Sequence, residues 1–141
     1  MKIRKLKIKN FRGYCGETTV NFDDLTAFVG KNDMGKSSVL EALDIFFNDN
    51  KGVIKLDKDD VNVSARANED NDISISICFS DLPDRVIIDA TNETSLANEY
   101  LLNSDGLLEV IKKYPNGGNT KVFIVCYCFY YHYYFVCNYY P

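Results

Sequence analysis

The segment LKIKNF alternates, with Leu6 and Ile8 on one side and Lys5, Lys7 and Lys9 on the other, which predicts a half-buried strand. A turn through Arg12, Gly13, Tyr14 and Gly16 leads into TTVNF, where the two-residue period resumes with Val20 and Phe22 inward. The short connection makes these two strands antiparallel neighbours. After Asp23 and Asp24, LTAFVG is a continuous apolar run ending in glycine, the pattern of a central strand buried on both faces. From Lys36 to about Asn48 the period changes. Val39, Leu40, Leu43, Phe46 and Phe47 recur three and four apart, which predicts a helix with one broad apolar face, ended by Asn48-Asp49-Asn50-Lys51-Gly52.

The polar stretch that follows to Asp72 has no strong period and reads as a long loop, with room for a short strand at Val53 to Leu56. Strand patterning returns in ISISICF (Ile73 to Phe79) and in RVIID after Pro83. EYLLN, Ser104-Asp105-Gly106 and LLEVIKKY have the form of a hairpin with glycine in its turn, although residues 94 to 103 also fit a short helix. Lys121 opens a last strand, KVFIVCYC. No fixed internal period repeats along the chain.

Between the apolar run and the helix lies Gly30-Lys31-Asn32-Asp33-Met34-Gly35-Lys36-Ser37, which fits G-x-x-x-x-G-K-[ST]. A loop folded round an anion must turn its N–H groups inward, and glycine at both ends permits the unusual dihedrals this needs. The loop feeds a helix N-terminus whose free N–H groups and partial positive charge point at the same place. The pattern therefore asks for a nucleotide phosphate. Lys36 would reach the β- and γ-phosphates, Ser37 would ligate Mg²⁺, and Ser38 would add a contact at the α-phosphate.

Composition bounds the reading. The chain has 141 residues, 46% apolar and 26% charged, a globular balance sized for one core. Its net charge of −4 excludes a global positive field. Six of the sixteen basic residues nevertheless fall in the first twelve positions (Lys2, Arg4, Lys5, Lys7, Lys9, Arg12), whereas Asp57 to Asp72 is acidic. Lysines interrupt every apolar step of the N-terminus, so no signal peptide is expected there and the expected compartment is the cytoplasm. The five cysteines (Cys15, Cys78, Cys126, Cys128 and Cys137) have neither disulfide parity nor metal-site spacing and read as reduced, buried thiols.

The run MKIRKLKIKNFRGYCGETTVNFDDLTAFVGKNDMGKSSVLEALDIFF resembles the N-terminus of the RecF/SMC/OLD branch of ABC-type ATPases. In that branch a first strand ends in a Phe-Arg pair, here Phe11-Arg12, and the phosphate loop reads G-x-N-x-x-G-K-[ST], here with Asn32. The loop spelling, with DKDDVN and DLPDRVIIDAT downstream, looks most like the OLD-family ATP-dependent endonucleases, which include the nuclease of an antiphage system. The likeness is strong over residues 1 to 48 and weaker from 53 to about 125. It implies an α/β P-loop NTPase fold, an ABC-type head lobe with a mixed, largely antiparallel sheet around the phosphate-loop helix. It also implies ATP and Mg²⁺ as cofactors and Arg12, Gly30, Asn32, Asp33, Met34, Gly35, Lys36, Ser37 and Ser38 at the nucleotide. In the complete protein it implies a homodimer through the nucleotide face and action on DNA, with no membrane. A RecF/SMC-type repair ATPase and a non-enzymatic interaction module are the alternatives.

Parts for hydrolysis are not evident. The branch uses a glutamine, a partner's LSGG-like signature and an Asp-Glu strand, yet this chain contains no Gln and no such signature. Val86-Ile87-Ile88-Asp89 imitates the acidic strand, but Ala90 stands where the base belongs. Asp89 therefore reads as a strand-end residue before it reads as a Mg²⁺ partner, and Asp60 is no better a candidate. Val122 to Pro141 carries no charged side chain and holds seven of the ten tyrosines. A membrane helix, an aromatic strand and out-of-frame translation all remain open for it. The division adopted is 1–125 as part of an ATPase head and 126–141 as an aberrant aromatic tail. The sequence thus predicts a chain that binds ATP without turning it over.

Overall fold

The computed structural model describes residues 1–31, 35–49, 51–89, 92–127 and 134–138. Alternation is strictest in β3 (Asp72–Ser80), where Ile73, Ile75, Ile77 and Phe79 lie on one face and are buried. On one side β3 pairs with β1 (Lys2–Lys9), setting Leu6 opposite Ile77 and Ile8 opposite Ile75. A register shift between Ile3 and Lys5 returns Ile3 to the same apolar face, opposite Phe79. On the other side β6 (Leu108–Pro115) places Tyr114 opposite Ile73.

With β2 (Glu17–Asn21), β7 (Lys121–Tyr127) and β8 (Tyr134–Asn138), these strands form one sheet in the order β2-β1-β3-β6-β7-β8. Every pairing in it is antiparallel. A separate hairpin joins β4 (Val86–Asp89) to β5 (Asn92–Thr94).

Helix α1 (Lys36–Phe47) covers the inner face of the sheet, burying Val39, Ala42, Ile45 and Phe46 in the same core as Leu6, Ile8, Ile73, Ile75 and Ile77. Twelve residues alone make a marginal helix in water. Burial at about 1.5–3 kcal/mol for each large side chain supplies the difference. At its C-terminal end the Lys112 ammonium donates to the Phe46 carbonyl at 2.8 Å and pairs with Asp49, a favourable charge at the negative pole of the helix.

Three expectations change. LTAFV has no regular secondary structure and belongs to no strand among the described residues: Leu25 and Val29 are 90% and 92% exposed, while Phe28 packs on Phe22 and the core. An apolar run reports affinity for a buried place, but a strand also needs a hydrogen-bonded neighbour, and no described strand pairs with it. EYLLN does not form a hairpin arm, because residues 96–100 wind into turns closed by bonds such as Leu101 N–H to Leu96 C=O at 2.9 Å. The loop before β3 holds no strand at 53–56. It contains a 3₁₀ turn (Lys58–Asp60), closed by a reciprocal cap between Asp57 and Asp60, and helix α2 (Val63–Ala67), capped by Asn62. Of the described cysteines, Cys78 and Cys126 are buried as expected and Cys15 is exposed.

Tyr114 is fully buried against α1's side of the sheet, yet its hydroxyl has no hydrogen-bond partner among the described residues. Burial, with the nearby Asp49 charge, drives its pKa well above the usual phenol range. Tyr114→Phe is therefore expected to gain about 1 kcal/mol in urea unfolding, since it removes an unsatisfied polar atom and keeps the ring. A loss of similar size would show that the hydroxyl is bonded.

Candidate functional site: the phosphate loop

The two glycines that frame the loop adopt the dihedrals the motif requires. Gly30 has φ of 151° and Gly35 a left-handed φ of 77°, both awkward for any side chain. Gly35 is the N-cap of α1 and supplies no side-chain cap, and no acidic residue occupies the first turn. Among the described residues the first N–H groups of the helix meet no acceptor, which suits an outside one. The Lys36 ammonium folds back over the loop, donating to the Gly30 carbonyl and to the Lys31 carbonyl. Ser37 is exposed and Ser38 half-buried. Asn32, Asp33 and Met34 lie outside the described residues.

Arg12 approaches α1 from the side. Its guanidinium pairs with Glu41 on the second turn of the helix and, at 2.8 Å, with Asp60. Its backbone N–H also reaches the Asp60 carbonyl at 2.7 Å, and its carbonyl accepts from the Asn62 amide. Asp60 is therefore engaged in pairing and capping, and the Glu41 contact was not anticipated. The only sequence signal for it is its place five residues after Lys36 on the helix. Tyr14, in sequence a turn residue, also reaches the helix. Its hydroxyl donates to the Gly35 carbonyl at 3.2 Å, just below the loop.

The structure brings Gly30, Gly35, Lys36, Ser37 and Ser38 to one helix end and holds Arg12 on the helix flank. Asp89 sits in the β4–β5 hairpin, paired across from Asn92. No cluster of three His, Cys, Asp or Glu that could hold a metal occurs among the described residues. No described helix is long and apolar enough to cross a membrane.

The lysines of β1 face away from α1 and are each met by a carboxylate. Lys2 pairs with Asp24 at 2.9 Å, Lys5 with Asp105 at 2.7 Å, Lys7 with Glu109 at 2.6 Å and Lys9 with Asp70 at 2.7 Å. What reads along the chain as a basic strip is, in space, largely a set of ion pairs, with Arg4 donating instead to the Ser80 hydroxyl at 2.8 Å. The Lys7–Glu109 pair is the most enclosed, since the Glu109 side chain is 6% exposed and also accepts from Ser76 at 3.0 Å and Asn103 at 3.0 Å. Burial alone would raise the Glu109 pKa, but the hydrogen bonds from Lys7, Asn103 and Ser76 outweigh it and bring it below the ordinary value. For Lys7, desolvation is likewise overcome by Glu109, leaving its pKa raised. Beside them Cys78 is pushed up to about 11, first by burial and then by the Glu109 charge, which keeps it an unreactive thiol.

The family model described as AAA ATPase domain matches residues 1–127. Over 44 residues the chain is 43% identical to the chromosome partition protein Smc of Halobacteriovorax marinus, a match that covers 30% of this chain and 4% of that protein. Over 112 residues it is 30% identical to uncharacterized protein MJECL44 of Methanocaldococcus jannaschii, covering 79% of this chain and 31% of that one. The chain thus spans under a third of the length of these relatives. Its fold matches a solved structure from work on the structural biochemistry of ATP-driven dimerization and DNA-stimulated activation of SMC ATPases. The TM-score is 0.55 at 15% identity, over 88% of this chain and 69% of that one, and the likeness is one of fold.

The enclosed pair carries a pH signature. Because the folded pKa of Glu109 lies below its ordinary value of 4.5, its stabilisation is present above that value and is lost as pH falls through the folded one. Glu109→Gln is expected to cost about 2 kcal/mol at pH 7, less than a wholly buried pair because Lys7 keeps partial exposure. The difference between wild type and variant in urea midpoints should shrink as the pH is lowered below 4.5. A gap that stays constant with pH would show that the loss is one of packing alone.

Proposed function

On the premise that the chain belongs to the AAA ATPase domain family, we propose that it is the nucleotide-binding part of an ABC-type ATPase head that takes ATP with Mg²⁺. One observation carries the proposal: the N-terminus of α1 has no side-chain cap and no acidic residue in its first turn, behind a glycine-framed loop over which Lys36 is folded. Two backbone carbonyls now occupy the ammonium, and a phosphate offers it a stronger, charged acceptor. Gly30, Gly35, Lys36, Ser37 and Ser38 would contact the phosphates together with Asn32, Asp33 and Met34. Ser37, exposed at the helix end, suits a Mg²⁺ ligand. Mg²⁺ supplies charge neutralisation at the phosphate oxygens. For Arg12 to touch nucleotide, it must exchange Glu41 or Asp60 for the ligand.

The chain holds no Gln, and its acidic strand-end residue Asp89 is not brought near Lys36 by any pairing described, so the expected behaviour is binding without turnover. The finer reading remains the one drawn from the loop spelling: part of an OLD-like ATP-dependent endonuclease that acts on DNA, with antiphage defence as its setting and the cytoplasm as its place. A RecF/SMC-type repair or chromosome-maintenance ATPase is the second reading, favoured by the 43% identical stretch shared with Smc. The fold neighbour's ATP-driven dimerization supports a homodimer through the nucleotide face in either case, and its DNA-stimulated activation supports a DNA partner.

Titration with labelled ATP, with and without Mg²⁺, tests the core of this. Wild type should bind without releasing phosphate. Lys36→Ala should bind about 30- to 150-fold more weakly, the loss of one charge-assisted contact of roughly 2–3 kcal/mol. Equal affinity in the mutant would sink the assignment.

A further inference from the structure

We propose that Tyr14 is a positioning residue for the phosphate loop, which it braces from beneath through the Gly35 peptide. The proposal rests on the ATP-binding reading above and adds a residue to it. Its starting point is the tight turn that ends β1. Phe11 is fully buried and bridged to Val61, and the Tyr14 N–H closes the turn on the Phe11 carbonyl at 2.9 Å. Arg12 sits in the turn at φ 50° and is fixed to α1 and the 3₁₀ turn by its two carboxylates. The chain that leads into Tyr14 is therefore held in place.

From that base the ring reaches the last glycine of the loop. A Cβ built on Gly35 would lie 3.0 Å from the Tyr14 hydroxyl oxygen and 3.3 and 3.4 Å from ring carbons, so the ring fills the space a side chain would need. The hydroxyl then donates to the Gly35 carbonyl at 3.2 Å, an oxygen that also receives the Val39 N–H at 3.3 Å. That carbonyl and the N–H of Lys36 belong to one planar, trans peptide unit, so they point in opposite directions. Holding the oxygen down on Tyr14 and the helix aims the Lys36 N–H up, out of the helix end and toward the place a phosphate would take. Tyr14 thus acts through the backbone without touching the ligand.

The test compares wild type with Tyr14→Phe, which keeps the ring and deletes the donor, using Mg²⁺ with ATP and with inorganic tripolyphosphate. Both affinities should fall by the same factor, about fivefold for one hydrogen bond, with titrations run well below the thermal midpoint so that both proteins are folded. Unchanged affinities beside a lowered midpoint would overturn the proposal in favour of a purely structural tyrosine. A loss for ATP with none for tripolyphosphate would overturn it in favour of contact with the base. If wild type bound neither ligand, the ATP-binding reading would fall and this one with it. If wild type binds and the variant equals it, only the brace falls.

Discussion

The burial of one side of α1 on the inner face of β1 and β3 is the constraint on which everything else in the molecule depends. Val39, Ala42, Ile45 and Phe46 share a core with Leu6, Ile8, Ile73, Ile75 and Ile77, which fixes the rotation and height of the helix on the sheet. Its ends are then secured by polar contacts. Lys112 reaches from β6 to the Phe46 carbonyl at the C-terminal end, while Arg12 and Tyr14, from a single turn, hold Glu41 and Gly35 near the N-terminus. A helix end that must receive a strongly charged ligand gains from being immobile beforehand, because the cost of ordering it has already been met in folding.

The two faces of the sheet divide the labour. Across β1 and β3 the inner face is apolar and carries the helix, while the outer face is mostly polar and is organised by ion pairs, with Glu109 of β6 bonded to Lys7, Ser76 and Asn103. Such a buried polar cluster adds little net stability over an apolar equivalent. It does fix register: a slip of β6 against β3 by one residue would send Glu109 to the helix side and Tyr114 outward.

Strand and helix patterning were legible wherever an element buries one face against something present in this chain. The alternation of β1 and β3 and the 3.6-residue period of α1 are direct imprints of that burial, and the phosphate-loop spelling imposes glycine where the backbone has positive φ. LTAFV departs from its strand pattern because apolar content shows how much a segment gains from being enclosed and says nothing about which strand encloses it. Residues 57–67 look like plain loop in sequence because their order comes from short-range caps, Asp57 with Asp60 and Asn62 with Ser64 and Ala65, which leave no periodic trace. Glu41 and Tyr14 escaped notice for another reason. Each is an ordinary residue at an ordinary spacing, and only the close approach of the β1 turn to α1 gives them their partners.

The neutralisation of the β1 lysines has a consequence for how this surface meets polyanions. Association with a nucleic-acid backbone is driven largely by release of its condensed cations when protein charges replace them. Lys2, Lys5, Lys7 and Lys9 are already compensated by Asp24, Asp105, Glu109 and Asp70, so each would have to abandon an internal carboxylate to displace a counterion. Apart from Arg4, which is bonded to the Ser80 hydroxyl and keeps its charge uncompensated by a described carboxylate, the most cationic stretch of the sequence therefore makes a nearly silent surface, one that should show little retention on a heparin column at physiological ionic strength.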